Sequence, residues 1–269
     1  MLFLFAGEIN APNHSAISIT YIANEGFMIE SRDKKILIDA LFMQNNTNDY
    51  LDHPSSEIIQ KMKSGHPPFH QIDLILASHD HEDHFHPVVV IECMKHNPNA
   101  LFVSTPHVVD MLKLQSESYE MIKKRVQPIE LDWYEKTEQI LSGIPITIIR
   151  THHDWLRINL QNQMHLIKLG DVTIFHEGDS PGDTETFESL WLENEQIDIA
   201  FVQWQCTKER IKILKNHIRP KHIILMHIPP SRIQLAKKNA ESLKELFPSV
   251  TVFNYSMERR SYCIPRELE

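Results

Sequence analysis

The sequence contains little glycine and little cysteine for its length. Of its 269 residues only 7 are glycine and 15 are proline, which argues against collagen-like, low-complexity and disordered chains. The three cysteines stand far apart, and an odd number without a Cys-x-x-Cys pair argues against a disulfide framework or a cysteine-based zinc site. We therefore expect Cys93, Cys206 and Cys263 to be reduced and buried, in a chain long enough to fold without cross-links.

The sequence also lacks an excess of positive charge and a long apolar run. Its 27 Lys and Arg oppose 36 Asp and Glu, which gives a net charge of −9. Because phosphate contacts require a basic surface, we expect no nucleic-acid partner, although a local basic patch stays open. No run approaches the length of a membrane span, and the apolar residues 1–7 are too few for a secretory signal. We expect a cytoplasmic protein; a periplasmic location would require a longer signal segment upstream of Met1.

Short β-branched runs alternate with helical patterns along the chain. The strands are predicted at Ile17–Ile22, Phe27–Glu30, Lys35–Asp39, Ile72–Ala77, Leu101–Ser104, Pro145–Thr151, Met164–Leu169, Val172–His176, Ile197–Val202, Ile223–Met226 and, as the last strand, Val250–Phe253. Helical patterns occur near Glu57–Met62 and begin at Pro87, Pro106, Asp183, Thr207 and Ser231. The order of these elements, in which consecutive strands are followed by alternating strands and helices, occurs twice along the chain. It predicts an α/β protein with mixed sheets. Without a composition break or a linker, we expect one domain over residues 1–269.

Histidine is the abundant residue, with 17 copies, and its densest cluster runs from His79 to His84 as His-Asp-His-Glu-Asp-His. The cluster follows a predicted buried strand and precedes a predicted helix. Alternate residues of an extended turn point the same way, so His79 and His81 can converge on one ion while Asp83 and His84 serve a second. Imidazole and carboxylate together suit zinc, manganese or iron. A solvated polar loop is the alternative, but four ligand-type residues in six positions at a strand end disfavour it.

This segment resembles the signature of the metallo-β-lactamase fold superfamily of binuclear metal hydrolases. The opening strands, which close on Asp39, resemble those of the family, and three later features follow in the family's order. They are a histidine after a strand (His152), an aspartate in a Gly-Asp-Ser turn (Asp179) and a late histidine at a strand end (His227). The resemblance covers nearly the whole chain and is strongest to a broadly distributed bacterial branch. It implies an α/β fold, a four-layer αβ/βα sandwich of two mixed β-sheets flanked by helices, with metals at one edge between the sheets.

The resemblance also implies the metal ligands. Two divalent ions are expected, zinc first, with manganese or iron as alternatives. The first ion would take His79, His81 and His152, the second Asp83, His84 and His227, and Asp179 would bridge both. Neighbouring residues of a strand point to opposite faces, so only one of His152 and His153 should reach the metal. Spacing does not decide between them, and we choose His152 from the family's placement.

The implied activity is hydrolysis of a small ester, lactone or phosphodiester by a metal-bridged hydroxide. Metal binding lowers the pKa of a water from about 15.7 toward about 7, and Asp83 or Asp179 could orient the resulting nucleophile. Asp39 either accepts an N–H of a ligand histidine or only caps a turn. The substrate is a small molecule, and the sequence does not indicate an oligomeric state. The alternative function is a non-catalytic metal-binding scaffold of the same fold.

Two segments are candidates for the substrate pocket. The polar stretch from Leu41 to His70 is a long connection, and such connections are often lids or binding loops. The segment Trp155–Gln163 follows the ambiguous histidine pair and could flank the site, with His153 or Asp154 lining it. Trp204, at a predicted strand end, is either a wall of the pocket or a core residue.

Overall fold

The computed structural model describes residues 15–43, 51–115, 117–153 and 160–264, and these form two seven-stranded sheets. The first sheet contains β1 (Ser15–Ala23), β2 (Gly26–Glu30), β3 (Lys35–Ile38), β4 (Leu74–Leu76), β5 (Leu101–Ser104), β6 (Val126–Pro128) and β14 (Arg259–Ile264), in the order β14-β1-β2-β3-β4-β5-β6. The second contains β7 (Lys136–Leu141), β8 (Ile144–His152), β9 (Gln161–Leu169), β10 (Val172–His176), β11 (Ile199–Gln203), β12 (His222–Met226) and β13 (Ser249–Val252), in the order β13-β12-β11-β10-β9-β8-β7.

Both sheets are mixed in the same way, as the strand–helix pattern predicted. In the first, β14, β1, β2 and β3 pair antiparallel and β3 to β6 pair parallel. In the second, β7 to β10 pair antiparallel and β10 to β13 pair parallel. The helices are α1 (Ser56–Ser64), α2 (Pro87–His96), α3 (Pro106–Lys113), α4 (Glu117–Glu120), α5 (Thr184–Glu188), α6 (Lys208–Ile213) and α7 (Ile233–Lys244).

Three apolar clusters define four layers. One lies between the sheets, because it joins Ile38 of the first sheet to Phe201 of the second. Another packs α1, α2 and α3 on the outer face of the first sheet, and the third packs α5, α6 and α7 on the outer face of the second. Side chains alternate along each strand, so Ile36 and Ile38 face inward while Leu37 faces the helices. The predicted four-layer αβ/βα sandwich is confirmed.

Capping side chains start several of these helices. Asp183 and Thr207, where two helical patterns were predicted to begin, each accept a hydrogen bond from the backbone N–H three residues on, at 2.8 and 3.0 Å. Ser231 does not cap a helix. It lies within a short 3₁₀ turn, Pro230–Arg232, and α7 begins at Ile233 without a side-chain cap.

The C-terminal strand was not predicted. Val250–Phe253 is not the last strand, because β14 follows it and pairs with β1. In β14, Tyr262 and Ile264 are buried, while Arg259 and Cys263 are exposed. Buried and exposed side chains thus alternate along β14, but the two arginines at its start make the segment look polar in the sequence. The three cysteines are reduced, yet of these only Cys93 is buried, where the prediction had all three buried.

The segments proposed as lids are only partly described. Residues 44–50 of the Leu41–His70 stretch, residues 155–159 of the Trp155–Gln163 segment and Asp154 lie outside the described residues. Within the described remainder, α1 packs against α2. Trp204 is half-buried and packs beside the apolar cluster on the outer face of the second sheet, so it is not a fully buried core residue. No helix in the described ranges is long and apolar enough to cross a membrane.

His165 of β9 gives the fold a testable acid sensitivity. It is fully buried, and neither ring nitrogen has a hydrogen-bond partner among the described residues. Burial lowers the pKa of His165 to about 3, whereas a histidine in an unfolded chain has a pKa of about 6.5. Between these values the unfolded state binds a proton that the folded state does not, so stability falls as the pH drops.

We expect His165→Leu to remove this pH dependence. Between pH 7.5 and pH 5 the wild-type free energy of unfolding should fall by about 2 kcal/mol more than that of the variant. The reason is that pH 5 lies about 1.5 units below the pKa of the unfolded histidine, and each unit corresponds to about 1.4 kcal/mol. Urea unfolding at both pH values measures the difference. Equal losses in the two proteins would show that His165 takes up no additional proton on unfolding.

Candidate metal centre

Six of the seven predicted ligands, all but His152, lie at one edge of the sandwich, where several strands end. His79 follows β4, His153 follows β8, Asp179 follows β10 and His227 follows β12. Strands β8, β10 and β12 run in the same direction, so their carboxyl ends meet at this edge. The arrangement brings ligand-type side chains from both sheets into contact.

The first group of side chains consists of His79, His81, His153 and Asp179. One potential ligand atom of each lies within 4.8 Å of those of the others. The three imidazole rings are 4.5–4.7 Å apart between centroids. The carboxylate of Asp179 faces them, with its Oδ2 2.9 Å from Nε2 of His153 and 3.8 Å from Nε2 of His79. Four side chains can therefore surround one ion.

The second group lies on the other side of Asp179. Nε2 of His84 is 3.6 Å from Oδ2 of Asp83 and 3.7 Å from Oδ2 of Asp179. His227 places Nε2 3.5 Å from Oδ2 of Asp83 and Nδ1 3.5 Å from Oδ1 of Asp179. Asp179 thus contacts both groups, as a bridging ligand would.

Asp179 is held in place by its own neighbours. Its backbone N–H donates to Oδ1 of Asn162 at 3.1 Å, and Nε2 of Gln203 donates to its Oδ1 at 3.1 Å. The preceding Gly178 has a φ of 55°, and a Cβ there would lie 2.9 Å from Cβ of Ser78. Glycine is needed at this turn because both the conformation and the space exclude a side chain.

The structure brings His153, and not the predicted His152, together with the other potential ligands. His152 lies outside both groups, with its ring 4.2 Å from that of Trp133, whereas His153 lies in the first group. Arg150 also stacks on Trp133, at 3.9 Å, so Arg150 and His152 share one face of β8. Because successive side chains of a strand point to opposite faces, His153 lies on the opposite face from His152, and only His153 faces the site.

We expect His153→Ala to lower the metal content by about one ion per chain, because it removes one of three imidazoles from the first group. His152→Ala should leave the metal content unchanged and is the matched control. Inductively coupled plasma mass spectrometry on both purified variants measures the effect. Loss of metal from the His152 variant alone would restore the sequence-based choice.

Asp39 orients His84 from beneath the site. Its Oδ2 lies 3.1 Å from Nδ1 of His84, and its two oxygens accept from the N–H and the hydroxyl of Ser78, both at 2.7 Å. Burial alone would lower the pKa of His84, but Asp83 and Asp39 outweigh it and raise that pKa to about 9. Of the two roles considered for Asp39, the contact with His84 supports the first, and it leaves Nε2 of His84 facing the carboxylates.

The pKa of Asp83 moves in the opposite direction. Burial raises it, yet His84 and a hydrogen bond from His227 outweigh burial and lower the pKa to about 2. Nδ2 of Asn24 donates to Oδ2 of Asp83 at 2.8 Å. Asp83 is therefore a stable carboxylate at any physiological pH.

Sequence reasoning missed Glu25 and Asn24, in the turn between β1 and β2. Oε2 of Glu25 lies 3.8 Å from Nδ1 of His84, and Oε1 lies 3.7 Å from Nδ1 of His227. Burial, and then the carboxylate of Asp179, raise the pKa of Glu25 well above its usual range. Asn24 and Glu25 are two polar residues between two strands, a pattern that predicts an exposed turn. The one sequence signal for a buried role was the charge of Glu25 within an otherwise apolar hairpin.

His176, the last residue of β10, lies directly below the site. It is fully buried, and its Nδ1 accepts from the N–H of Gly178 at 3.2 Å. Its Nε2 is then the protonated nitrogen, and it donates to the backbone oxygen of Glu25 at 3.3 Å. His176 therefore joins the end of β10 to the turn between β1 and β2.

The residues present fit metal ions. Nε2 of His79 and Nε2 of His84 are buried, and within the described part of the chain neither has a hydrogen-bond partner. Unsatisfied buried polar atoms are rare and costly in native proteins, and coordination to a cation satisfies them. Imidazole nitrogen with carboxylate oxygen is a donor set for zinc, manganese or iron.

Comparison with known proteins agrees with this fold. The sequence model of the β-lactamase superfamily domain matches residues 34–249, which is most of the chain, and the protein belongs to that family. The resemblance to the metallo-β-lactamase fold superfamily is thereby confirmed. A comparison with curated proteins finds no match.

Solved structures similar to this chain share its fold at low identity. Igni18, a metallo hydrolase from Ignicoccus hospitalis, is 18% identical with a TM-score of 0.60, over 93% of this chain and 100% of that one. The metallo-β-lactamase fold protein YhfI from Bacillus subtilis is 15% identical with a TM-score of 0.62, over 92% and 100%. An isothiocyanate hydrolase from gut bacteria of Delia radicum is 11% identical with a TM-score of 0.63, over 92% and 100%.

Proposed function

We propose that this protein is a binuclear metal-dependent hydrolase that cleaves a small ester, lactone or phosphodiester. The observation that carries the proposal is the position of Asp179, which contacts both groups of potential ligands. His79, His81 and His153 would hold the first ion, and Asp83, His84 and His227 the second. Zinc suits these ligands best, with manganese and iron as alternatives.

The chemistry of such ions is to lower the pKa of a coordinated water from about 15.7 toward about 7 and to polarise the substrate's carbonyl or phosphoryl oxygen. The side chains supply orientation. Asp83 stays ionised, because its pKa is about 2, and it lies at the more exposed side of the site with His227. Asp83 and Asp179 are the carboxylates placed to orient an attacking water by accepting its hydrogen bonds.

A cavity beside the second group has room for a small substrate. Its volume is about 340 Å³, and its lining includes Asn24, whose side chain donates to Asp83, and Met226, which precedes His227, but none of the seven proposed ligands. The other lining residues are mostly apolar, among them Ile228, Ile233 and Phe253. Asp52, from the long stretch proposed as a lid, also lines the cavity and accepts a hydrogen bond from the hydroxyl of Tyr21 at 2.7 Å.

The test is a panel of chromogenic esters, lactones and phosphodiesters, assayed before chelation, after chelation and after reloading with zinc, manganese or iron. We expect turnover of at least one class that chelation abolishes and metal restores, and no turnover by His84→Ala. His96→Ala, an exposed histidine at the end of α2, is the control and should keep full activity. Bound metal without turnover across the panel would favour the scaffold, and activity that survives complete chelation would overturn metal dependence.

A further inference from the structure

Glu25 is a buried carboxylate that the resemblance-based ligand set does not use. Its side chain is fully buried, and neither carboxylate oxygen accepts a hydrogen bond from any described residue. Among the described residues its ion-pair contacts are with two imidazoles, those of His84 and His227. An unpaired carboxylate removed from water is strongly unfavourable unless a proton or a cation compensates it.

The position of this carboxylate is defined by the two histidines of the second group. Glu25, His84, Asp179 and His227 each place one potential ligand atom within 4.8 Å of the others. Asp83 approaches the same two histidines through their Nε2 atoms. Glu25 approaches Nδ1 of His227 at 3.7 Å, and the same nitrogen faces Oδ1 of Asp179 at 3.5 Å, so Glu25 and Asp179 lie together at one nitrogen of His227.

The turn that carries Glu25 is built into the site. Asn24 donates its side-chain N–H to Asp83 at 2.8 Å, and its backbone oxygen accepts from the N–H of His227 at 3.2 Å. Gly26, the residue after Glu25, lies so close to Asp39 that a Cβ on it would be 2.7 Å from the backbone oxygen of Asp39. Backbone contacts thus fix the turn against the site, and the Glu25 side chain extends into the site from a rigid support.

The charges of the centre match this arrangement. Glu25, Asp39, Asp83 and Asp179 are four acidic side chains, and the one buried arginine nearby, Arg210 in the described residues, is already paired with Glu177. Two divalent ions carry four positive charges. Two such ions would therefore balance the charge of these four carboxylates.

We propose that Glu25 is a direct ligand of the ion held by His84 and His227, in addition to the ligands that the family resemblance implies. This inference rests on the proposed metal centre. On this proposal the turn between β1 and β2 belongs to the metal site, because its Glu25 side chain would bind the ion beside His227.

The test compares Glu25→Gln with the wild-type protein for binding of zinc and cobalt. Glu25→Gln keeps the volume but removes the charge, so we expect the second ion to bind at least about 10-fold to 100-fold more weakly, with the first ion unaffected. X-ray absorption and the visible spectrum of the fully cobalt-loaded variant should show a changed coordination sphere. Glu30→Gln, at the far end of β2, is the matched control and should behave as wild type.

The outcomes separate this inference from the proposed function. A wild-type protein that binds two ions, with a Glu25→Gln variant of equal affinity and an unchanged cobalt spectrum, overturns the role of Glu25 alone. Weaker binding with an unchanged spectrum at saturation would make Glu25 a positioning residue and also overturn the proposal. A wild-type protein that binds fewer than two ions overturns the proposed function itself. Circular dichroism confirms that each variant is folded.

Discussion

Replacement of Asp179 by asparagine should abolish hydrolysis and leave less than one metal ion per chain. Its carboxylate lies 2.9–3.8 Å from the imidazoles of His79, His84, His153 and His227. An amide supplies one oxygen and no charge, so neither ion of the proposed centre would keep its bridging carboxylate. Because metal ions provide several kcal/mol of transition-state stabilisation, we expect activity to fall at least about 1000-fold.

Asp198→Asn is the matched control for this prediction. Asp198 is also a buried aspartate, but it lies at the opposite end of β11, where it accepts the N–H of Thr173 and pairs with Lys221, both at 2.9 Å. This variant should keep its metal and its activity. An Asp179→Asn protein with two ions and more than about a tenth of the activity would show that the two groups do not share a bridging carboxylate.

Replacement of Arg210 by methionine should lower the free energy of unfolding by about 3–5 kcal/mol, which is the usual effect of leaving a buried charge without its partner. Nη1 of Arg210 lies 2.6 Å from Oε2 of Glu177, and both side chains are buried. Burial raises the pKa of Glu177 even with Arg210 beside it, so the carboxylate depends on the guanidinium. The melting temperature should fall by roughly 6–20 °C.

This loss is best measured on the metal-free protein, because bound metal adds its own stabilisation. The double variant Arg210→Met, Glu177→Gln should recover about 2 kcal/mol or more, since no unpaired charge is left in the core. The glutamine keeps an oxygen for the backbone N–H of Gln203, which Glu177 accepts at 2.5 Å. A loss below about 1 kcal/mol in the single variant would mean that solvent reaches the pair.

Much of the fold and part of the site could be predicted from the sequence, for physical reasons. The cluster from His79 to His84 is contiguous and follows a short strand buried on both faces, so its position at a sheet edge follows from local sequence. Asp179 and His227 also follow apolar strands, and parallel neighbours bring their ends together. These residues needed only the strand pattern and the resemblance.

The remaining residues depend on contacts between distant segments. Whether His152 or His153 faces the site is set by the side of β8 that Trp133 covers, and the strand pattern of β8 does not show which side that is. Glu25 is buried because the edge of the second sheet, with His227, closes over the β1–β2 turn. A sequence read locally assigns such a turn to solvent.

The measurement that tests the central claim most directly is the metal content of the purified protein by inductively coupled plasma mass spectrometry, before chelation and after reloading with zinc, manganese or iron. Two groups of ligands that share Asp179 predict close to two divalent ions per chain, removed by chelation and restored on reloading. One ion or none, even after reloading with each metal, would contradict a binuclear centre, and the proposed hydrolytic mechanism would fall with it.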